Sequence, residues 1–270
     1  MRELETKSPE IKQKGKYNQM KTSVLRNVVK TSLAITAALG LALGAGNASA
    51  RILGIDVSSY QGSINWSSVR SDGVVFAFAK ATEGNYYHDA YYNGNMVNGK
   101  AAGVQMGAYD FARPDQISAY TEADYFWSFA GSKITTDGKS IYPMVDFEVF
   151  GGHVGYTSFT AWFNAWSSRV KSKTGTFMHP VIYASACNGM CDLTTSCTLS
   201  QWVANYNGQN LYTGNPWSSC NCCNYVSPCT SNGWTYWQCS STGRISGISG
   251  NVDLDAYPLS LSELIAYQGL

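Results

Sequence analysis

Residues 142–186 read YPMVDFEVFGGHVGYTSFTAWFNAWSSRVKSKTGTFMHPVIYASA. A strand, a helix and a second strand follow one another there. Tyr142–Glu148 and Pro180–Ala186 are short, nearly continuous apolar runs, the pattern of strands covered on both faces. Between them a helix is predicted to start at Thr157. Its Phe159, Trp162, Phe163, Trp166 and Val170 recur at helical spacing, Lys171 and Lys173 fall in the last turn, and Gly175 supplies a stop. Alternation of strand and helix implies a parallel sheet.

The same rhythm extends both ways. Ile52–Ser58, Val74–Ala81 and Val104–Phe111 precede this unit, and Gln201–Tyr206, Trp234–Cys239 and Val252–Tyr257 follow it. Ser118 can cap a helix whose Ala123, Phe126, Trp127 and Ala130 share one face. Eight strand-like runs in residues 51–270 predict an α/β fold built as a (β/α) barrel. The pattern weakens after Ala186. Residues 187–232 are rich in Cys, Asn, Gly and Ser and hold no long amphipathic helix, so the expectation is an irregular TIM-like (β/α) barrel whose last strands lack regular helices.

The chain has 270 residues, with 19 Lys+Arg against 18 Asp+Glu. Residues 1–50 hold 8 of the basic and 3 of the acidic residues, which leaves residues 51–270 at a net charge of −4. A body of that sign is a poor binder of nucleic acid, which needs a basic face. Within residues 1–50, Arg26 and Lys30 precede an uncharged apolar run, Thr31–Gly46, that leads to Ala48-Ser49-Ala50. A basic flank, a short apolar run and a small-x-small ending describe a secretory signal peptide cleaved before Arg51. An uncleaved anchor is the alternative, although about 16 apolar residues are short for a span of ~20. Met1 and Met20 are both candidate starts. Residues 51–270 then form a single exported domain with no membrane segment, and nothing in them demands more than a monomer.

All eight cysteines lie between Cys187 and Cys239. An even count in an exported chain reads as disulfides. Zinc is the rival reading, but no clean pair of CxxC knuckles is present, and His153 and His179 lie outside the window.

In a parallel barrel the C-terminal strand ends carry the chemistry. Four acidic positions fall in those places: Asp56, Asp146, Glu148 and Asp253. Asp146 and Glu148 are two apart, so on a strand they share a face and leave Phe147 to pack outward. Two carboxyls forced together in a partly dry pocket cannot both ionise easily, and one is kept protonated. Such a carboxyl can act as general acid. Glycoside hydrolysis needs that arrangement, because the leaving oxygen must be protonated while another group stabilises the anomeric centre. Clustered carboxylates also suit a divalent metal. The expectation is a site with neither metal nor cofactor.

These segments, in their order, resemble the family 25 glycoside hydrolases, the Chalaropsis-type lysozymes. The resemblance rests on GIDVSSYQG at 54–62, INW at 64–66, FAKATEG at 78–84, GAYDFARP at 107–114 and MVDFE at 144–148. WVANY at 202–206 and WTYWQCSSTGRISGISGNVDLD at 234–255 complete it. It implies cleavage of the β-1,4 bond between N-acetylmuramic acid and N-acetylglucosamine in bacterial peptidoglycan. Glu148 matches the general acid and Asp146 the carboxylate beside it. The latter serves either as nucleophile or as the group that orients the substrate's acetamido. Asp56 and Asp253 match the first- and last-strand carboxylates. Asp255 reads as structural. Tyr109, Tyr206 and Trp237 are candidate ring contacts for sugar faces, and Gln238 offers an amide. The family's lysine near the acidic cluster falls at Lys80, where a lysine–carboxylate pair would account for it equally well. One position departs from the family: Asp110 stands where a histidine is usual, and if it faced inward it would be a fifth carboxylate of the pocket. A chitinase-like hydrolase, a glycan-binding protein without turnover and a metal-dependent hydrolase are the competing readings.

Overall fold

The structure, a computed structural model, describes residues 51–174, 181–193, 200–218, 220 and 234–270. The leader read into residues 1–50 and the stop at Gly175 lie outside these residues. The strands are β1 (Ile52–Val57), β2 (Phe76–Glu83), β3 (Tyr87–His88), β4 (Gln105–Phe111), β5 (Met144–Asp146), β6 (Val181–Ser185), β7 (Ser200–Ala204), β8 (Tyr236–Gly243) and β9 (Val252–Tyr257). The sheet runs β1-β9-β8-β7-β6-β5-β4-β2, and pairing of β1 with β2 closes it into a barrel. β3 folds back on β2 as a short antiparallel flap.

The barrel is mixed, which corrects the expectation of a parallel sheet. From β1 through β2, β4, β5, β6 and β7 to β8 every pairing is parallel. β9 runs antiparallel to both β8 and β1. The physical reason is connection length. Only Arg244–Asn251 joins β8 to β9, whereas a parallel crossover needs about a dozen residues or more. Strand periodicity carries no direction, so the apolar runs alone could not reveal the reversal.

The helices are α1 (Trp66–Ser71), α2 (Tyr92–Ala101), α3 (Ala119–Ala130), α4 (Phe159–Thr174), α5 (Gly189–Asp192) and α6 (Leu261–Gln268). Ser118 caps α3 as its sequence requires, its Oγ accepting from the Thr121 N–H. α4 buries Trp162, Phe163, Trp166 and Val170 against the barrel. Among the described residues α5 is a single turn and no helix follows β7 or β8, so the late strands lack regular helices as expected. No helix among the described residues is long and apolar enough to cross a membrane.

Strand alternation sorts the side chains into two cores. Phe76, Phe78, Tyr109, Met144, Tyr183 and Trp202 fill the barrel, with the Phe78 and Trp202 rings 4.6 Å apart. Their neighbours Ala77, Ala79, Ala108, Val145 and Phe147 face outward and pack with Phe126, Trp162 and Trp166 of the helices. Leu264 of α6 joins the inner core, closing the end of the barrel at which β9 finishes. Gly54 is bare because of this filling: a Cβ there would stand 2.2 Å from the Phe76 ring.

Asp110 belongs to the outer layer, since Tyr109 takes the inward place on β4. Thr82 Oγ1 donates to its Oδ1 at 2.6 Å and Trp166 Nε1 to its Oδ2 at 3.0 Å. It also hydrogen-bonds the Glu122 carboxyl of α3, which in turn accepts the Arg113 N–H at 3.0 Å. Burial raises both acids, Asp110 to about 8 and Glu122 to about 10. A fifth carboxylate of the pocket is therefore not formed, because the side chain points away from the barrel interior.

Cys187 and Cys220 form a disulfide. Cys239 keeps a free thiol, its Sγ donating to the Leu254 carbonyl at 3.4 Å. The Cys187–Cys220 bond accords with the reading of this cysteine window as one that forms disulfides. The remaining cysteine side chains lie outside the described residues.

Gly54→Ala should lower stability by about 1–3 kcal/mol, the cost of overpacking a filled core. Gly94→Ala, in α2 with open space around it, should raise it by ~0.5–1 kcal/mol. Thermal unfolding of the two variants checks both signs. A carboxyl raised in the fold holds its proton where the unfolded chain has lost it, so its contribution to stability falls as pH rises from the ordinary carboxylate range through about 8 for Asp110. The decline of Tm across that interval should be shallower in Asp110→Asn than in the parent, measured by unfolding scans in a pH series.

Candidate active site

Asp56 stands near the end of β1, and its register partner on β9 is Asp253. Both reach the same rim because β9 enters the barrel where β1 leaves it. Asp253 thus lies at the start of its strand rather than at the end that the parallel reading assigned. Asp255, one step deeper, is wholly buried and accepts the Trp202 indole N–H at 2.7 Å. Asp56 makes side-chain hydrogen bonds with both of these aspartates. Burial, and then mutual repulsion, raises Asp56 well above the usual carboxylate range. Burial also pushes Asp253 up to about 6. Three adjacent carboxyls in so little water cannot all carry charge without cost.

Asp146 ends β5. The Ala112 N–H donates to its carbonyl at 2.8 Å, and the following Phe147 N–H donates to the Tyr183 carbonyl at 2.9 Å, which pins the strand end between its neighbours. Its side chain is buried, and Oδ1 has no hydrogen-bond partner. Burial, then the nearby Glu148, raises it, while Lys80 acts in the opposite direction. Phe147 points outward as expected and packs edge-on to Phe159 and Trp162. Glu148 lies just past the strand with its side chain open to solvent. It stands in the wall of a cleft of about 450 Å³ that Phe150, Tyr183, Ser185, Asn205 and Tyr206 also line. Partial desolvation of its carboxyl against the cleft wall raises Glu148 above an ordinary glutamate, while Tyr183 and Lys80 act in the opposite direction. Cys187 contributes to the same wall, so the Cys187–Cys220 disulfide ties it to the segment after β7. Asn205 Nδ2 donates to the Pro216 carbonyl of that segment at 2.6 Å.

Gln238, on β8, joins the two sides of the rim. Its Nε2 donates to Asp56 Oδ2 at 2.7 Å. Its Oε1 accepts from the Tyr183 hydroxyl at 2.8 Å and the Tyr206 hydroxyl at 2.6 Å.

The other expected contacts separate by location. Tyr206 lines the cleft with its ring half exposed. Tyr109 is buried inside the barrel, edge-on to Trp202. Trp237 is wholly buried, and its indole N–H donates to the Asn205 carbonyl at 3.0 Å, so it backs the cleft instead of lining it. Lys80 pairs with Glu83 at 3.0 Å and lies over the Phe111 ring. Glu83 is also 3.6 Å from Arg113. Sequence reasoning missed Tyr183, Glu83, Arg113 and Asn205. A visible sign existed for Tyr183: a phenol at an inward position of an otherwise aliphatic strand. Among the described residues no group of three or more His, Cys, Asp and Glu side chains could hold a metal ion. The arrangement offers an acid raised above its usual range at a cleft wall and, beside it, a buried carboxyl whose Oδ1 has no hydrogen-bond partner. Those are the parts needed to protonate a leaving oxygen and support the positive centre it leaves behind.

The Glycosyl hydrolases family 25 profile matches residues 55–248. Lysozyme M1 of Streptomyces globisporus is 36% identical over 227 residues, spanning 80% of this chain and 70% of that protein. The N,O-diacetylmuramidase of Arthroderma benhamiae is 30% identical over 236 residues, spanning 80% of this chain and 91% of its own. The crystal structure of the bacterial lysozyme from Streptomyces coelicolor superposes with a TM-score of 0.66 at 34% identity, covering 80% of this chain and 96% of that one. The carboxyl rim at the mouth of this mixed barrel and the extent of these matches lead to one assignment: the chain belongs to the glycosyl hydrolases of family 25.

Proposed function

We propose that this glycoside hydrolase is a muramidase that cleaves the β-1,4 bond between N-acetylmuramic acid and N-acetylglucosamine in peptidoglycan. Glu148 protonates the leaving oxygen as general acid, and later takes a proton back from water as general base. Asp146 acts on the other side of the same bond. The observation that carries this reading is the pairing of Glu148, raised and open to the cleft, with Asp146, raised and buried behind it. The unpartnered Asp146 Oδ1 favours a role in receiving the substrate's acetamido N–H, which turns that acetamido oxygen toward the anomeric carbon. Asp56 and Asp253 hold the rim and its protons. Tyr206 offers a ring to a sugar face, while Gln238, Tyr109, Trp237 and Lys80 act behind the substrate-facing surface. The names of the relatives support peptidoglycan as substrate. The leader-like residues 1–50 support export, and the protein is proposed to work outside the cell as a monomer.

Residues 51–270, prepared in an oxidising host, should release muramic-acid reducing ends from purified peptidoglycan, read by mass spectrometry. Glu148→Gln should lower that rate by about 10²–10⁴-fold while the protein stays folded, the scale of a lost general acid. Glucosamine reducing ends, or cleavage of chitin alone, would favour the chitinase-like reading, and glycan binding without cleavage the non-catalytic one. Cleavage should be unchanged after dialysis against EDTA; a loss restored by a divalent ion would instead place a metal in the carboxyl cluster.

A further inference from the structure

We propose that Asn205 and Ser185 hold the acetamido group of the sugar on the leaving side of the bond, Asn205 Oδ1 accepting its N–H and Ser185 Oγ donating to its carbonyl. The inference rests on the assignment of Glu148 above and concerns which sugar its cleft selects.

The cleft is lined by Glu148, then by Tyr183 and Ser185 of β6, by Ala204 of β7 and by Asn205 and Tyr206 just past it. It therefore runs from the acid across the ends of β6 and β7. Asp146, the group assigned to the anomeric carbon, does not line it. An acid that protonates the leaving oxygen stands at the junction of the two sugars. The sugar lodged beyond Glu148, away from Asp146, is then the one that departs.

Every polar atom of Asn205 but one is committed. Its backbone N–H donates to the Gln238 carbonyl at 3.0 Å, and its own carbonyl accepts the Trp237 indole N–H at 3.0 Å. Its Nδ2 donates to the Pro216 carbonyl at 2.6 Å and to the Ser218 carbonyl at 3.1 Å. Two carbonyl acceptors on one side settle which end of the amide is nitrogen. Cys220 Sγ is 3.5 Å from the same nitrogen, and its bond to Cys187 fixes the segment that aims the amide. Oδ1 alone has no partner among the described residues. The residue is half-buried in the cleft wall, so this oxygen is an acceptor without a donor.

Ser185 supplies the complement. It stands opposite Ala204 in the β6–β7 register, one residue before Asn205. Its Oγ accepts the Gly189 N–H at 2.9 Å, which leaves its own proton to donate. Phe150 and Ala204 add apolar surface to the same wall. An acceptor, a donor and a small apolar surface match the N–H, the carbonyl and the methyl of an acetamido group. A sugar hydroxyl would leave the apolar surface unused.

The test is calorimetric binding of two peptidoglycan tetrasaccharides to the Glu148→Gln variant. One carries N-acetylglucosamine on the leaving side, and the other its acetoxy counterpart, in which an oxygen replaces the N–H. The acetoxy ligand should bind about 5–10-fold more weakly, the scale of one lost hydrogen bond. Adding Asn205→Ala should weaken the acetamido ligand by a similar factor and abolish the difference. Adding Ser185→Ala should weaken both ligands equally, because both keep the carbonyl. A difference that survives Asn205→Ala means that the residue acts only through the segment it anchors, and the proposal falls. It falls equally if the two ligands bind alike from the start, if neither binds, or if Ser185→Ala changes nothing. Should Asn205→Ala fail to fold, the Asn205 carboxamide carbon, followed by carbon-13 NMR in Glu148→Gln, decides. Its signal should move with the acetamido ligand and stay in place with the acetoxy one; no movement, or the same movement with both, overturns the proposal. Binding needs no turnover, so an absence of muramidase activity and a failure of this inference are read separately.

Discussion

Asp56 and Asp253 face each other across the antiparallel ladder of β1 and β9, a place where like charges oppose each other directly and weaken a sheet. The barrel cannot close without this pairing, because β9 is the strand that joins β8 to β1. Closure and chemistry thus meet at one ladder, and the conflict is relieved by protons rather than by cations. No lysine or arginine stands between the two aspartates among the described residues; their neighbours are Asp255, Gln238 and the aromatic filling of the barrel. A rim whose carboxyls are all raised above their ordinary range favours the protonated form over the charged one.

The rest of the architecture places that rim beside a cleft. Asp146 is buried at the edge of the inner core of rings, so its charge is unfavourable there. The reversal of β9 brings Asp253 to the same end as Asp56. Gln238, one strand over, is the amide long enough to connect Asp56 with the tyrosines of the far wall. The disulfide at Cys187 holds that wall where the helical layer thins out after β6.

Much of this was legible beforehand, and what was hidden had a common cause. The aromatic spacing of α4 and the cap at Ser118 are local signals, and local structure followed them. The four acidic positions could be picked out because strand ends and D-x-E spacing are also local. The direction of β9 was hidden because alternation is the same read either way; the eight-residue connection between Gly243 and Val252 was the clue. Glu122 was hidden because a glutamate on a helix is ordinarily a solvated one, and only the packing of α3 on β4 turns it toward Asp110. Tyr183 was hidden inside a run that was read for its hydrophobicity. Trp237, conversely, could be read as a sugar contact or as core, since a bulky ring at a strand end fits either purpose, and it lies wholly buried.

Tyr109 and Asp110 are neighbours in the chain, yet β4 sends one into the ring-filled interior of the barrel and the other into a sealed layer beneath the helices. The strand separates the two side chains but not their charges, since Asp110 still raises the Asp146 carboxyl across it and Lys80 acts on both. Natural variation on the helix side can therefore adjust how such an enzyme tolerates acid or alkali, one residue away in sequence, without altering the side chains that fill the barrel. Lineages that colonise habitats of different acidity would then be expected to differ at positions such as 110 and 122 while their rim carboxylates stay the same.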